Sequence, residues 1–265
     1  MRLLQLSDPH LLADPAGVYR QRQPWVRLGQ VLRQAQAEAQ NPQPLPDLLL
    51  ISGDLCQDET WAGYAQLRKL LEPWPTPVAL LPGNHDHPQL LRAALGRRAA
   101  LAPALLPCGD AWLLLLDSHR HGSIAGWLGA HQLAWLEAQL HQLRHQAQPR
   151  PLLVAVHHPP LPIGDATMDA IGLRDGEPLL QLLRAAPGLQ ALLFGHVHQY
   201  WQGVLPGREE VLLLGCPSTL CGFGPVQPCP LGRPDDPGGL WLEVSAGASL
   251  RHRLLRWAAP QQQPA

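Results

Sequence analysis

The chain has 265 residues, 46% hydrophobic and 15% charged, with a formal net charge of −1 at pH 7. That length and apolar content can bury one sizeable α/β core without a second domain, and the near-neutral balance excludes the basic stripe of a protein that binds nucleic-acid polymers. The five cysteines, Cys56, Cys108, Cys216, Cys221 and Cys229, are odd in number and lack a Cys-x-x-Cys pair, which reads as reduced thiols in a cytoplasmic protein rather than a disulfide framework.

In chain order, the first apolar run, residues 3–6, reads as a buried strand and ends on Asp8-Pro9-His10. Its approach to that segment leaves no room for a signal peptide, and no later run nears the roughly 18 apolar residues of a membrane span. Helical spacing over residues 25–40 is followed by a strand at 48–51 that ends on Gly53-Asp54. A helix over 60–71 and a strand over 78–81 lead into Gly83-Asn84-His85-Asp86, with another helix starting near Pro88. A helix over 132–146 precedes the strand 152–156, which delivers His157-His158. A helix over 177–186, opened by Asp175-Gly176, precedes the strand 191–194, which delivers Gly195-His196-Val197-His198. Alternating strands and helices imply an α/β fold of twisted sheets with helical cover, its ligands at the carboxyl ends of the strands.

Beyond these, residues 211–214, 240–244 and 250–255 read as strands, with a hairpin connection at Ser245-Ala246-Gly247-Ala248. They are expected to build a second sheet. The Pro/Gly-rich stretch 221–239 reads as a long loop near the site and 260–265 as a frayed tail, leaving one domain over residues 1–259.

The five segments together carry the donors of two divalent cations about 3.5–4 Å apart, which need one shared anionic oxygen and neutral donors closing each sphere. Asp54 is the candidate shared ligand. Asp8 and His10, two apart and so on one side of a strand, complete one site with His198, while Asn84, His157 and His196 complete the other. This mixed carboxylate, imidazole and amide set contains no thiolate, and it suits two transition-metal ions, iron or manganese first and zinc or cobalt next. Such a pair lowers the pKa of a bridging water from 15.7 toward about 7, so that hydroxide is available without a protein nucleophile.

Taken in order, Asp-x-His, Gly-Asp, Gly-Asn-His-Asp, His and Gly-His-x-His resemble the calcineurin-like metallophosphoesterases. The wording around them is similar to that of the bacterial cyclic 3′,5′-AMP phosphodiesterases: Leu6-Ser7-Asp8-Pro9-His10-Leu11, Leu81-Pro82-Gly83-Asn84-His85-Asp86, His157-His158-Pro159-Pro160-Leu161-Pro162, Gly195-His196-Val197-His198-Gln199 and Pro217-Ser218-Thr219. The resemblance implies a four-layer α/β/β/α sandwich. It also gives His85 a role beside the metals, in which the imidazole protonates the departing ribose oxygen, worth typically about 10²–10⁴-fold. Asp86 is expected either to hold the His85 imidazole by a hydrogen bond or to cap the helix near Pro88. Candidate substrate contacts are Asn84, His85, His198 and Arg174, the last through its guanidinium on a phosphate oxygen.

His158 reads as a hydrogen-bonded structural residue. The remaining histidines, His87, His119, His121, His131, His141, His145 and His252, match no ligand position and read as solvated. Substrate choice is assigned to residues 168–174 and 218–223, where Gly222 precedes Phe223 although related enzymes often carry glutamine before the aromatic.

The expected function is hydrolysis of 3′,5′-cyclic AMP to 5′-AMP by in-line attack of a metal-bridging hydroxide. The alternatives are a glycerophosphodiester or 2′,3′-cyclic nucleotide phosphodiesterase on the same core, for which His157 to Pro162 with Met168-Asp169 also speak, and a metal-poor binding scaffold. The partner is a small cyclic nucleotide or other phosphodiester, with no membrane and no nucleic-acid polymer.

Overall fold

A computed structural model describes residues 1–39, 44–146, 148, 150–245, 247 and 250–258. The last residue of the first expected helix, part of the 245–248 connection and the tail 260–265 lie outside the described residues. In chain order the elements are β1 (Arg2–Leu6), α1 (Pro24–Ala39), β2 (Leu48–Ile51), α2 (Trp61–Leu71), β3 (Val78–Leu80), α3 (Pro88–Leu95), β4 (Ala100–Leu101), β5 (Ala104–Cys108), β6 (Ala111–Leu115), α4 (Gly129–Arg144), β7 (Leu152–Ala155), α5 (Ala166–Ala170), α6 (Gly176–Arg184), β8 (Leu189–Phe194), β9 (Trp201–Leu205), β10 (Arg208–Gly215), β11 (Gly238–Glu243) and β12 (Arg251–Arg256).

The strands form two six-stranded sheets, ordered β12-β11-β1-β2-β3-β4 and β5-β6-β7-β8-β10-β9. Period-2 alternation sorts their side chains into layers. In β2, Leu49 and Ile51 pack with Leu28, Leu67 and Leu91 from the helices of one face, while Leu48 and Leu50 face the other sheet and meet Leu153, Ala155 and Leu193. On the outer face of the second sheet, Val154 and Leu192 pack with Leu136 and Leu140 of α4 and Leu179 and Leu183 of α6. Four layers result, α/β/β/α. Strands covered on both faces explain why the sequence shows unbroken apolar runs instead of alternation.

The C-terminal strands correct the sequence reading. β11 and β12 do not build the second sheet but extend the first, β11 pairing antiparallel with β1 from Arg2↔Glu243 to Gln5↔Leu240. The physical cause is β1 itself, whose second edge would leave buried N–H and C=O groups unpaired. Only β10, of those three strands, joins the second sheet, parallel to β8. The edge strands β5 and β9 escape periodicity because one contains Pro107 and the other is short and interrupted by Gly203.

Two polar contacts fix the ends of the layers. Gln5 Nε2, buried between the sheets, donates to Ser52 Oγ at 2.9 Å and to Phe194 O at 3.2 Å, tying the ends of β1, β2 and β8 together. Asp175 stands at the start of α6, yet its carboxylate accepts from Leu128 and Gly129 N–H and so holds the start of α4.

Candidate metal centre

Every candidate donor leaves a strand from the same end of the sandwich: Asp8 and His10 follow β1, Asp54 follows β2, Asn84 follows β3, His157 follows β7, and His196 and His198 follow β8. Five of them hold left-handed backbone, with φ of 52° at Asp8, 48° at His10, 49° at Asp54, 68° at His196 and 52° at His198. That conformation costs a non-glycine residue about 1–2 kcal/mol, and it persists where neighbouring structure over-determines it. Here a backbone ladder does so, with Asp8 N on Gly53 O at 3.1 Å, His10 N on Asp54 O at 2.9 Å and Leu11 N on Leu55 O at 3.0 Å.

The ligand-type atoms of Asp8, His10, Asp54 and His198 all lie within 4.8 Å of one another. His10 Nε2 sits 3.0 Å from His198 Nε2, and His198 Nε2 sits 3.5 Å from Asp8 Oδ1. Asp54 divides its carboxylate, with Oδ2 3.7 Å from His10 Nε2 and Oδ1 3.4 Å from His157 Nε2. On that second side, Asn84 Oδ1, His157 Nε2 and His196 Nε2 are buried without a hydrogen-bond partner. Orphaned buried polar atoms are costly, and three converging ones next to a carboxylate fit a cation.

Partners behind the rings set which nitrogen faces the centre. His157 Nδ1 meets Ser52 O at 2.7 Å, His198 Nδ1 meets Cys221 O at 3.0 Å and His10 Nδ1 meets Gln57 Oε1 at 2.7 Å. Each therefore turns Nε2 inward. Without cations, burial opposes charge on these rings, but Asp54 outweighs it at His157, raising its pKa to about 9, and Asp8 outweighs it at His198, raising it to about 10. At His10 and His196 burial wins and lowers the pKa to about 4 and about 3.

His158 packs 4.8 Å from the His157 ring and 4.7 Å from His196, but both of its nitrogens are engaged, Nδ1 with Ser118 Oγ at 2.8 Å and Nε2 with Ile124 O at 3.2 Å. Burial holds its pKa well below the usual histidine value, although its ring lies close enough to His157 and His196 to join them as donors.

Asp86 does neither of the things expected of it. Its carboxylate, 1% exposed, accepts from Leu55, Cys56 and Gly83 N–H and from Tyr64 OH, clamping the Asp54 turn to the Asn84 turn; α3 is capped by His87 instead. The cause is proximity: three amides of two tight turns reach the carboxylate. His85 Nδ1 faces Gln57 Nε2 at 3.2 Å. The Gln57 amide thus bridges His10 and His85, accepting from one ring and donating to the other. Sequence reasoning passed over Gln57; its one signal is a position three residues after Asp54, in the same turn.

Arg174 is exposed, and its backbone N–H donates to Gly126 O at 2.9 Å. The arginine beside the candidate ligands is Arg20, also passed over, whose guanidinium lies 5.0 Å from the Phe223 ring and 5.4 Å from that of Tyr19. Phe223 stacks on His198 at 4.2 Å, and Tyr19 lies 5.3 Å from His10. Ser218 Oγ donates to Asp8 O at 2.7 Å, so the Pro-Ser-Thr segment supports a ligand turn. Gly222 has its own reason: a Cβ there would collide with Pro234 O across the 221–239 loop.

A family model for calcineurin-like phosphoesterases matches residues 1–200. The chain belongs to that family. This calcineurin-like phosphoesterase is 47% identical, over 98% of both chains, to a protein of Synechococcus sp. (strain WH7803) named probable cyclic nucleotide phosphodiesterase. It is 35% identical, over 100% of its own length and 92% of the relative's, to the 3′,5′-cyclic adenosine monophosphate phosphodiesterase CpdA of Escherichia coli (strain K12). A dimetal phosphatase from Danio rerio shares the fold, with a TM-score of 0.68 at 14% identity over 95% of this chain and 98% of that one. As a calcineurin-like phosphoesterase the protein is a hydrolase. Among the described residues no helix is long and apolar enough to cross a membrane, and all five cysteines are free.

Proposed function

We propose that the protein is a cyclic nucleotide phosphodiesterase that opens 3′,5′-cyclic AMP to 5′-AMP at a dimetal centre. The observation that carries the reading is the divided carboxylate of Asp54, one oxygen 3.7 Å from His10 Nε2 in the cluster with Asp8 and His198, and the other 3.4 Å from His157 Nε2, which like Asn84 Oδ1 and His196 Nε2 is buried without a hydrogen-bond partner. These seven residues would hold two cations, and the nitrogen-and-oxygen donor set would suit iron or manganese first and zinc or cobalt next. When bound, the cations supply Lewis acidity to the phosphoryl oxygens and bring the pKa of water toward neutrality.

The rest falls to the chain. A water oxygen attacks phosphorus in line with the P–O3′ bond, whose electron pair leaves with the 3′ oxygen. His85 delivers the proton to that oxygen. Gln57 Nε2 lies 3.2 Å from Nδ1 of His85 and orients the ring so that Nε2 is the nitrogen left for the substrate. Asn84 and His198 border the same phosphate position. Residues 1–259 act as one domain, in the cytoplasm, where the free thiols stay reduced.

The test is a diester panel on manganese-loaded protein with measured metal content, read as kcat/KM because specificity is a ratio of rates. Cyclic AMP should exceed 2′,3′-cyclic AMP and glycerophosphoethanolamine. Rapid turnover of either of those with none of cyclic AMP would overturn the substrate assignment.

A further inference from the structure

A cavity of about 330 Å³ opens against Asp86 and His87, the two residues that follow His85, between the turn after β2, the start of α3 and the loop after β6. That volume falls within the roughly 300–1,000 Å³ range of small-molecule sites. Its walls carry Glu59, His87, His119 and His121, with Asp86 at the inner end. None of these four is a candidate cation ligand, and the three histidines are among the seven that the sequence leaves as solvated residues.

Both walls are tied to the centre. The loop after β6 is anchored by Ser118 Oγ on His158 Nδ1 at 2.8 Å, and by Gln132, which binds Asp117 N–H at 2.8 Å and Asp117 O at 2.5 Å. On the other wall Glu59 holds φ of 51°, a left-handed conformation for a residue with a long side chain. It sits between Asp58, which accepts from Ala13 N–H at 2.7 Å, and Thr60, whose Oγ1 caps α2 on Gly63 N–H at 3.0 Å. Backbone strain of this kind clusters at ligand sites. The Glu59 carboxylate and the rings of His119 and His121 have no hydrogen-bond partner among the described residues, so their polar atoms are free for a ligand. His87 Nδ1 takes Leu90 N–H at 3.5 Å, which leaves Nε2–H as a donor.

The chemistry on offer is one anionic acceptor and several flat rings, each with a donor or an acceptor. Burial lowers the pKa of His119 and keeps it neutral. A carboxylate here repels a second phosphate, whereas a planar heterocycle with an exocyclic amine and ring acceptors matches it in shape and in polarity. We propose that this cavity is the nucleobase subsite, with Glu59 accepting from the exocyclic amine and His87 and His119 framing the ring. The proposal rests on the cyclic nucleotide reading, and it names the residues that choose the base where the metal centre only handles the phosphate.

The experiment compares manganese-loaded parent, Glu59→Ala and His119→Ala on cyclic AMP and on bis(4-nitrophenyl) phosphate, which has no base. The ratio of the two kcat/KM values should fall about tenfold or more for Glu59→Ala, the fold-change of one lost charge-assisted hydrogen bond, and the change should lie in KM. His119→Ala should move the ratio the same way. Metal content and melting temperature confirm that each variant is folded. A ratio within twofold of the parent for both variants overturns the subsite while leaving the phosphodiesterase reading intact. A parent that cleaves bis(4-nitrophenyl) phosphate but no cyclic AMP overturns both.

Discussion

Removing the Asp86 carboxylate should disassemble the centre without touching a ligand. Asp86 receives Leu55 N–H at 3.0 Å, Cys56 N–H at 3.0 Å, Gly83 N–H at 2.8 Å and Tyr64 OH at 3.0 Å, in a site 1% exposed. In Asp86→Ala each of these donors loses its acceptor, and a buried orphan costs about 1–3 kcal/mol. Water entering the vacated space satisfies some of them, so about two full penalties remain, or about 2–6 kcal/mol. Against a total stability of about 5–15 kcal/mol that is a large loss, and at about 2–4 °C per kcal/mol it lowers the melting temperature by about 4–24 °C. Asp86→Asn keeps one acceptor oxygen but turns an amide NH₂ toward N–H donors, and should fall between parent and alanine. Thermal unfolding with metal analysis checks both, and manganese stoichiometry should drop with the melting temperature, because the clamp joins the Asp54 turn to the Asn84 turn. Asp86→Ala melting within 2 °C of the parent, with full metal content and only a displaced pH–rate profile, would refute the clamp and return Asp86 to the orientation of His85.

Three further outcomes follow from the same geometry. Gln57→Ala removes the acceptor of His10 and the donor to His85, and kcat or metal affinity should fall about 10–100-fold; Gln57→Glu should restore the His10 contact but not the donor, separating metal content from kcat. Gly83→Ala places a Cβ against Asp54 Oδ1 and its backbone N, so metal content should collapse, as measured by equilibrium dialysis. In the metal-free protein the raised pKa values of His157, about 9, and His198, about 10, exceed the unfolded value of about 6.5. The folded state then binds more protons between about pH 6.5 and 10, so the stability from these two pairs is full below 6.5 and is lost as pH rises through that window. Metal affinity should climb over the same interval, because binding must displace those protons; denaturant unfolding of metal-free protein and manganese titrations at pH 7 and 9 check the opposite slopes.

What the sequence made legible was the chemistry at strand ends. Leu48 to Ile51 is buried on both faces, so its apolar run is unbroken and Gly53-Asp54 stands out where the run stops. The same logic exposes His157 after β7. Sheet order is less legible, because which strand lies beside β1 is decided by tertiary pairing, and nothing in residues 240–244 states a partner. One signal existed: Gly238 and Gly239 open β11, and a side chain at Gly239 would press on Gln5 O and Leu6, the mark of a strand that docks closely on β1. Asp86 and Gln57 stayed hidden for a different reason. Their roles are set by amides and rings in other turns, which spacing along the chain cannot display. The histidines of the base cavity escaped because no periodicity distinguishes a solvated loop residue from one lining a cleft.

The pairing of β1 with β11 has a consequence in time. Leu4 lies against Leu49 on one side and Trp241 on the other, so the strand that delivers Asp8 is made well before the strand that becomes its second neighbour. Contacts this distant in sequence form slowly, and until β11 has been made one edge of the central strand stands open to other chains. A chain that lacks β11 carries Asp8 and His10 on a strand with one unpaired edge, so damage to β11, far away in sequence, strikes the strand that carries the first candidate ligand.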